Sequence, residues 1–466
     1  MPRISRKTHP RSDNGHTPLQ PAHILLRRFV LVIAIILFSN HFPAWSANQD
    51  FIPGESFGKR GSEPGFIKYP VGLCFDSKTN LWMADWGNQR IQIFSSRGDL
   101  IKSLDVSLDG PCGIVIDSRG YVFISEIRNN RITKLDKNGQ LVERIGSHGR
   151  NPGQFREPRG IAVDSADNLY VCDYKNLRIQ KLDRNGKYLT QFQYRDKRAG
   201  FERPRWVCLD SRGNLYVAYP DINKIVKFDK DGNWLLDFGA KGRESGFFDE
   251  PRCVIVDSNE NILVSDHKNN RIQKFDSVGR HLETIGVSPD NPRLEKGSLS
   301  RPEGLAIDIY GNLFVSDGEH DRIQIFNLRP ELLDRNKALV ALRSGDRDGA
   351  LEAYRNLLQV KPQDSEARKF LEGSYLARAH EQEKGSNWDA AADIYREMAA
   401  MSLITRERAE EEMKKLQFLK YRWIYYSLAI SLVIFMLLAL MILKFGSSGK
   451  KGKHEALNSD SSEQQE

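Results

Sequence analysis

The chain has 466 residues, 40% of them hydrophobic and 28% charged, the balance of a folded protein with room for two or three domains. Its formal charge of +8 sits mostly at the two ends, and between residues 51 and 328 basic and acidic side chains nearly cancel. No field of the kind that nucleic acid selects runs through that stretch, so nucleic acid is not an expected partner.

In chain order, Arg27 and Arg28 precede an apolar run at residues 29–38, which ends in the small-residue stretch Ala44-Trp45-Ser46. A basic front, a short apolar run and a small-residue end read as a secretory signal over residues 1–46, or as an anchor if it stays uncleaved. The chain contains no Asn-x-Ser/Thr acceptor, which fits a bacterial exported protein.

The phrase Pro-x-Gly-apolar-x-apolar-Asp, or a close variant, then begins at Pro70, Pro111, Pro158, Pro204, Pro251 and Pro302. The third unit shows the order best: Pro158 to Asp164, Asn168 to Asp173, Arg178 to Asp183 and Lys187 to Phe192, with turn residues between. Short alternating runs bounded by Asp, Asn and Gly are strands joined by hairpins. Four strands per unit and six units predict an all-β, six-bladed propeller over residues 50–328. The sixth unit stops after Arg322-Ile-Gln-Ile-Phe326, while Glu55-Ser-Phe-Gly-Lys-Arg-Gly61 ahead of the first matches the end of the fourth. Residues near 51–58 are therefore expected to supply the missing strand and close the ring, removing two open sheet edges.

These phrases resemble the NHL-repeat family, whose unit also reads Pro-x-Gly-Ile-Ala-Val-Asp, then Asn-apolar-Tyr-Val-x-Asp, then Asn-x-Arg-Ile-Gln-x-Phe. The resemblance implies the propeller but not one function, because the family spans ubiquitin-ligase substrate domains, RNA binders, a few lyases and exported bacterial proteins. Among them the amidating lyase, which resembles this fold, holds zinc with several channel-facing histidines. Here the propeller offers His148, His267, His281 and His320, in different register positions, and no Cys/His cluster precedes it. No catalytic motif, metal site or cofactor is expected.

From Arg329 the periodicity becomes helical. Ala338, Ala350, Tyr354, Leu357 and Pro362, then Ala379, Ala391 and Tyr395, follow the register of tetratricopeptide repeats, so residues 329–420 resemble two helical hairpins and a linker helix. Trp423–Leu443 carries no charge and is long enough to cross a bilayer, with Tyr421, Trp423, Tyr425 and Tyr426 as an aromatic belt. The membrane helix is placed at 421–445 and a disordered cytoplasmic tail at 446–466.

Two sets of residues stand out. Asp85 with Arg90, Asp173 with Arg178, Asp266 with Arg271, Asp317 with Arg322, and Glu126 with Arg131 recur at one spacing, and in unit four Tyr219 and Lys224 replace both members together. Such a pair reads as a structural clamp across a hairpin mouth, with Asn88, Asn129, Asn176 and Asn269 at the left-handed loop position. The residue after each opening proline varies instead: Val71, Cys112, Arg159, Arg205, Arg252 and Glu303. These begin the innermost strands, and with Trp86, Arg128, Tyr174, Lys175, His267 and His320 they form the candidate binding rim. Three arginines there suit an anionic group. The five cysteines fill small-residue slots, without metal-ligand spacing. The expected function is a non-enzymatic interaction scaffold of the cell envelope, anchored in the inner membrane with the propeller outside the cytoplasm and binding a protein or peptide. A small anionic-ligand sensor and a zinc lyase are the alternatives.

Overall fold

A computed structural model of the protein describes residues 49–286 and 296–448. The signal-like residues 1–46 and the tail from 449 lie outside the described residues.

Six four-stranded antiparallel sheets stand around a common axis. In blade 3 the order from the axis outward is Pro158–Val163, Leu169–Asp173, Arg178–Leu182 and Tyr188–Phe192. Second strands are buried along their whole length, because neighbouring blades cover both of their faces. The outer strands of blades 2 and 3 are largely exposed except at their last residue. That residue has a defined seat. Phe57, Leu104, Ile145, Phe192 and Phe238 each tuck under a turn glycine of the next blade: Gly98, Gly139, Gly186, Gly232 and Gly279. These glycines have positive φ, and a Cβ on Gly279 would lie 2.6 Å from the Phe238 ring. The position therefore needs glycine twice over.

Phe51–Phe57 pairs antiparallel with Arg322–Leu328, so the N-terminal strand completes blade 6 as its outermost member. Blade 4 departs from the others. A two-stranded hairpin, Arg195–Asp196 with Gly200–Phe201, leads into it, and its first strand is cut to Trp206–Leu209. The six-unit spacing gave no sign of that insertion.

The third strand of blade 6 starts at the rim bearing Arg322 and ends at the opposite face, where five helices follow: α1 (Pro330–Ser344), α2 (Arg347–Val360), α3 (Ser365–Lys384), α4 (Trp388–Ala400) and α5 (Arg406–Ser448). Helix α1 is tied to the propeller by Asn336, which donates to Tyr310 O at 2.8 Å, and by Leu332 and Leu333 against the propeller core. The rim of strand starts therefore points away from the helices. Asp346 and Asp364 cap α2 and α3 by accepting from Gly349 N and Ala367 N. Ala338, Tyr354, Leu357, Ala379, Ala391 and Tyr395 are all buried in one helical core, joined by Ala409 and Leu416 of α5. Helix α5 then continues unbroken into its apolar half, where Trp423, Leu432 and Phe435 are more than half exposed. Among the described residues it is the one helix long and apolar enough to cross a membrane, and none of them covers that apolar stretch.

Candidate functional site

The recurrent Asp–Arg phrase builds one network in each of several blades. In blade 3 Asp173 is fully buried. Its Oδ2 accepts from Arg178 Nε (2.8 Å), Asn176 Nδ2 (2.8 Å) and Gln180 Nε2 (3.0 Å), and its Oδ1 from Arg156 N (2.7 Å). Arg178 Nη2 then donates to Asn151 O and Gln154 O in the connector leading into the blade. Asp266 with Arg271 and Asp85 with Arg90 repeat this arrangement, reaching Phe247 O and Phe66 O. Asp317 receives Arg322 Nε at 2.8 Å, with His320 Nδ1 in the place of the Asn, and Glu126 receives Arg131 Nε at 2.8 Å. The phrase thus grips the loop between blades as well as its own hairpin. In blade 4 that loop is the inserted hairpin, so its partners change: Lys224 Nζ meets Asp196 at 3.1 Å and Asp237 at 2.8 Å. Acid and Arg are replaced together in the blade whose connector is the inserted hairpin, which Lys224 holds instead.

One detail differs from the sequence reading. The left-handed residue is the one after Asn88, Asn129, Asn176 and Asn269, namely Gln89, Asn130, Leu177 and Asn270. The earlier Asn is occupied by its bond to the buried carboxylate. Asn130, Asn223 and Asn270 use the left-handed position to accept from Glu157 N, Glu250 N and Arg301 N of the next blade, at 2.8–2.9 Å. The second Asn of the phrase, repeated at 130 and 270, was the signal for this staple.

The same face carries the residues that follow each opening proline. The three arginines expected to hold an anion together are already divided by one carboxylate of the ring. Glu303, 2% exposed, receives Arg205 Nη2 and Arg252 Nη1, both at 2.7 Å, and Tyr69 Oη at 2.8 Å. His267 Nδ1 lies 3.6 Å from it. Burial alone would raise the Glu303 carboxyl; Arg205 and Arg252 overcome that and hold its pKa at about 2. Burial pushes His267 down to about 4, so it is neutral at pH 7 and unlike the exposed rim group expected of it. Arg252 also reaches Glu250 at 3.1 Å, which Lys268 holds from the other side.

Arg159 stands beside Arg205 but makes none of these bonds to Glu303. Its Cζ stands 4.1 Å over the Tyr174 ring, which Arg203 also faces at 5.3 Å. Trp86 continues the rim, between Arg128 (5.3 Å over its ring) and Tyr69 (ring centroids 5.8 Å apart). Val71 and Cys112 are buried apolar members of the ring. His320 and His267 serve different blades and do not converge. Among the described residues no three His, Cys, Asp or Glu side chains are set to share a metal ion. The five cysteines are free thiols in the described structure. Tyr69 and Arg203 were missed by the sequence reading, which took the residue after each opening proline and not the equally variable one before it.

The NHL repeat profile matches residues 155–182 and 248–275. Both stretches run from the buried connector residue, Phe155 or Phe248, through the third strand, in two of the blades where the carboxylate network is complete. Comparison with curated proteins returns no match. Among solved structures, a Staphylococcus aureus virginiamycin B lyase is 16% identical, with TM-score 0.45, over 60% of this chain and 100% of its own. A Xanthomonas campestris gluconolactonase is 16% identical, with TM-score 0.44, over 61% and 99%. The WD40 propeller domain of Doa1 is 14% identical, with TM-score 0.42, over 56% and 80%. Such identities and scores carry no activity across.

Proposed function

The chain is built on NHL repeats closed into a six-bladed propeller, and on that premise we propose that it is a membrane-anchored interaction protein whose propeller mouth recognises a partner. The observation that carries this reading is the internal bolt at Glu303. Arg205, Arg252 and Tyr69 converge on that buried carboxylate, so the centre of the mouth is filled by the protein's own ion pairs. What remains open is a rim with exposed Arg128 and Lys175 and half-buried Trp86 and Tyr174, the mixture of aromatic anchors and charge that protein contacts favour. The exposed apolar half of α5 supports anchoring in a bilayer. Because α1 leaves the face opposite the mouth, the rim would point away from that bilayer toward a partner in the extracytoplasmic space of a cell envelope. The helical core between them, similar in register to tetratricopeptide hairpins, would add a second contact surface, and tethering both raises their effective concentration.

The test is affinity capture from solubilised membranes with rim side chains altered and the bolt left intact. Arg128→Ala and Lys175→Ala together should release one defined partner while leaving the unfolding temperature within about 2 °C of the parent, the effect of surface changes of a few tenths of a kcal/mol each. An unchanged set of partners would sink the recognition face. Arg205 and Arg252 are unsuitable for this test, because a Glu at either would face Glu303 in a buried site.

A further inference from the structure

The cations of the mouth are not equally compensated. Arg205 and Arg252 share Glu303, and Lys268 holds Glu250. Arg159 reaches Glu157 Oε2 only at 3.4 Å, a long contact, and Lys175 already grips the other oxygen of that carboxylate. The Arg159 Nε is buried with no hydrogen-bond partner, and so is the Nε of Arg205. The Arg159 side chain is only 18% exposed. Burial and then the charge of Arg205 both lower its pKa, so its surroundings oppose its charge. Its flat face is fixed on Tyr174, opposite no carboxylate of its own. A guanidinium held flat, with an N–H left over and a like charge beside it, lacks a planar oxyanion.

The neighbouring cluster shows which oxyanion this mouth takes. At Glu303 a single carboxylate is received by two guanidinium groups and a phenol. On the blade 3 side Arg159 and Arg203 flank one phenol ring, Tyr174, in a comparable set where the acid, Glu157, is gripped by Lys175 and gives Arg159 only a 3.4 Å contact; Arg203 pairs with the half-exposed Asp221, at 2.7 Å. We propose that the blade 3 side of the mouth receives one carboxylate from the partner, an Asp or Glu side chain or a chain end, with Arg159 as its main ligand, Tyr174 as the platform and Arg203 as the outer cation. This rests on the reading of the mouth as a recognition face and names the chemistry that it reads. Binding and stability then oppose each other at Arg159, whose charge is a strain on the fold until the acid arrives.

The full-length chain in detergent micelles tests this by thermal unfolding at constant ionic strength, with chloride replaced by acetate, by N-acetylglutamate amide or by inorganic phosphate. Acetate and the glutamate derivative should raise the unfolding temperature by about 2 °C or more at tens of millimolar, as ligands that bind only the folded state do. Arg159→Met keeps the stem on Tyr174; in chloride it should unfold no lower than the parent, and its carboxylate response should vanish. Arg203→Gln, at an exposed residue, should fold normally and weaken the response, which keeps the test decisive if the first variant does not fold. A parent chain indifferent to carboxylates, or an Arg159→Met or Arg203→Gln chain that responds like the parent, overturns the proposal. A response to phosphate alone overturns the carboxylate assignment. Loss of the carboxylate response with partner capture intact removes this inference and leaves the recognition face standing; a response without any captured partner does the reverse.

Discussion

Two sides of one mouth hold the same residue type, an arginine after the blade-opening proline, in opposite electrostatic states. On the side of blades 4 to 6, Arg205 and Arg252 are bolted to Glu303 with contacts of 2.7 Å. On the side of blade 3, Arg159 has a long contact to a carboxylate already in use and a buried N–H without a partner. The difference comes from the sixth unit, which puts Glu where the others put Arg, Cys or Val. A charge repeated around a ring acquires its role from what the other repeats bring to the axis.

Breaking the compensated side should have the largest effect. Glu303→Gln leaves the buried Arg205 without its anion and Arg252 with Glu250 alone, which should cost about 3–5 kcal/mol, read as a large drop in the denaturant midpoint. A loss below about 1 kcal/mol would mean that the bolt does not carry the mouth. The same side should also fail first in acid. His267 has a folded pKa of about 4, below its ordinary value of 6.5, so the unfolded chain binds the extra proton between those two values. Stability therefore falls as pH drops through that window, by on the order of 3 kcal/mol. Glu303, held at about 2 against its ordinary 4.5, adds a further loss below pH 4.5. Urea unfolding of His267→Gln across pH 7 to 2 should show the first part of the slope removed and the second retained; an unchanged slope would place the acid sensitivity elsewhere.

A smaller effect separates blade 3 from blade 4 away from the axis. Asp173→Asn removes the charge that anchors Arg178, Asn176 and the connector, and should cost about 2 kcal/mol. Lys224→Met in blade 4 loses contacts at a partly open hairpin and should cost about 1 kcal/mol or less. Hydrogen exchange in the connector at residues 146–157 should quicken in the first variant and stay unchanged in the second. Equal quickening would mean that the network does not hold its loop.

The propeller was legible because each unit repeats turn residues and alternation in the same order, and even ring closure showed, in the truncated sixth unit and the matching stretch at Glu55. The blade 4 hairpin was not legible. Its insertion changes which residues fill the connector, and its only trace was the joint replacement at Tyr219 and Lys224. The candidate site was half legible. The varying slot after each proline put its residues on one face of the ring, but spacing alone cannot say that Glu303 reaches across the axis to Arg205 and Arg252, since that depends on the ring being narrow enough for their side chains to meet. The left-handed position was misplaced by one residue because Asn suits both the loop conformation and the amide donor to a buried acid, and the fold uses adjacent residues for the two tasks.

The central claim is that the partner meets the mouth and not the helix-bearing face. A photo-crosslinking residue placed at Lys175 on the rim, and separately at exposed Arg212 on the opposite face, tests it in intact cells. One discrete crosslinked product from position 175, reduced by Trp86→Ala and missing from position 212, is the result expected. A product from position 212 with none from 175 would contradict the account.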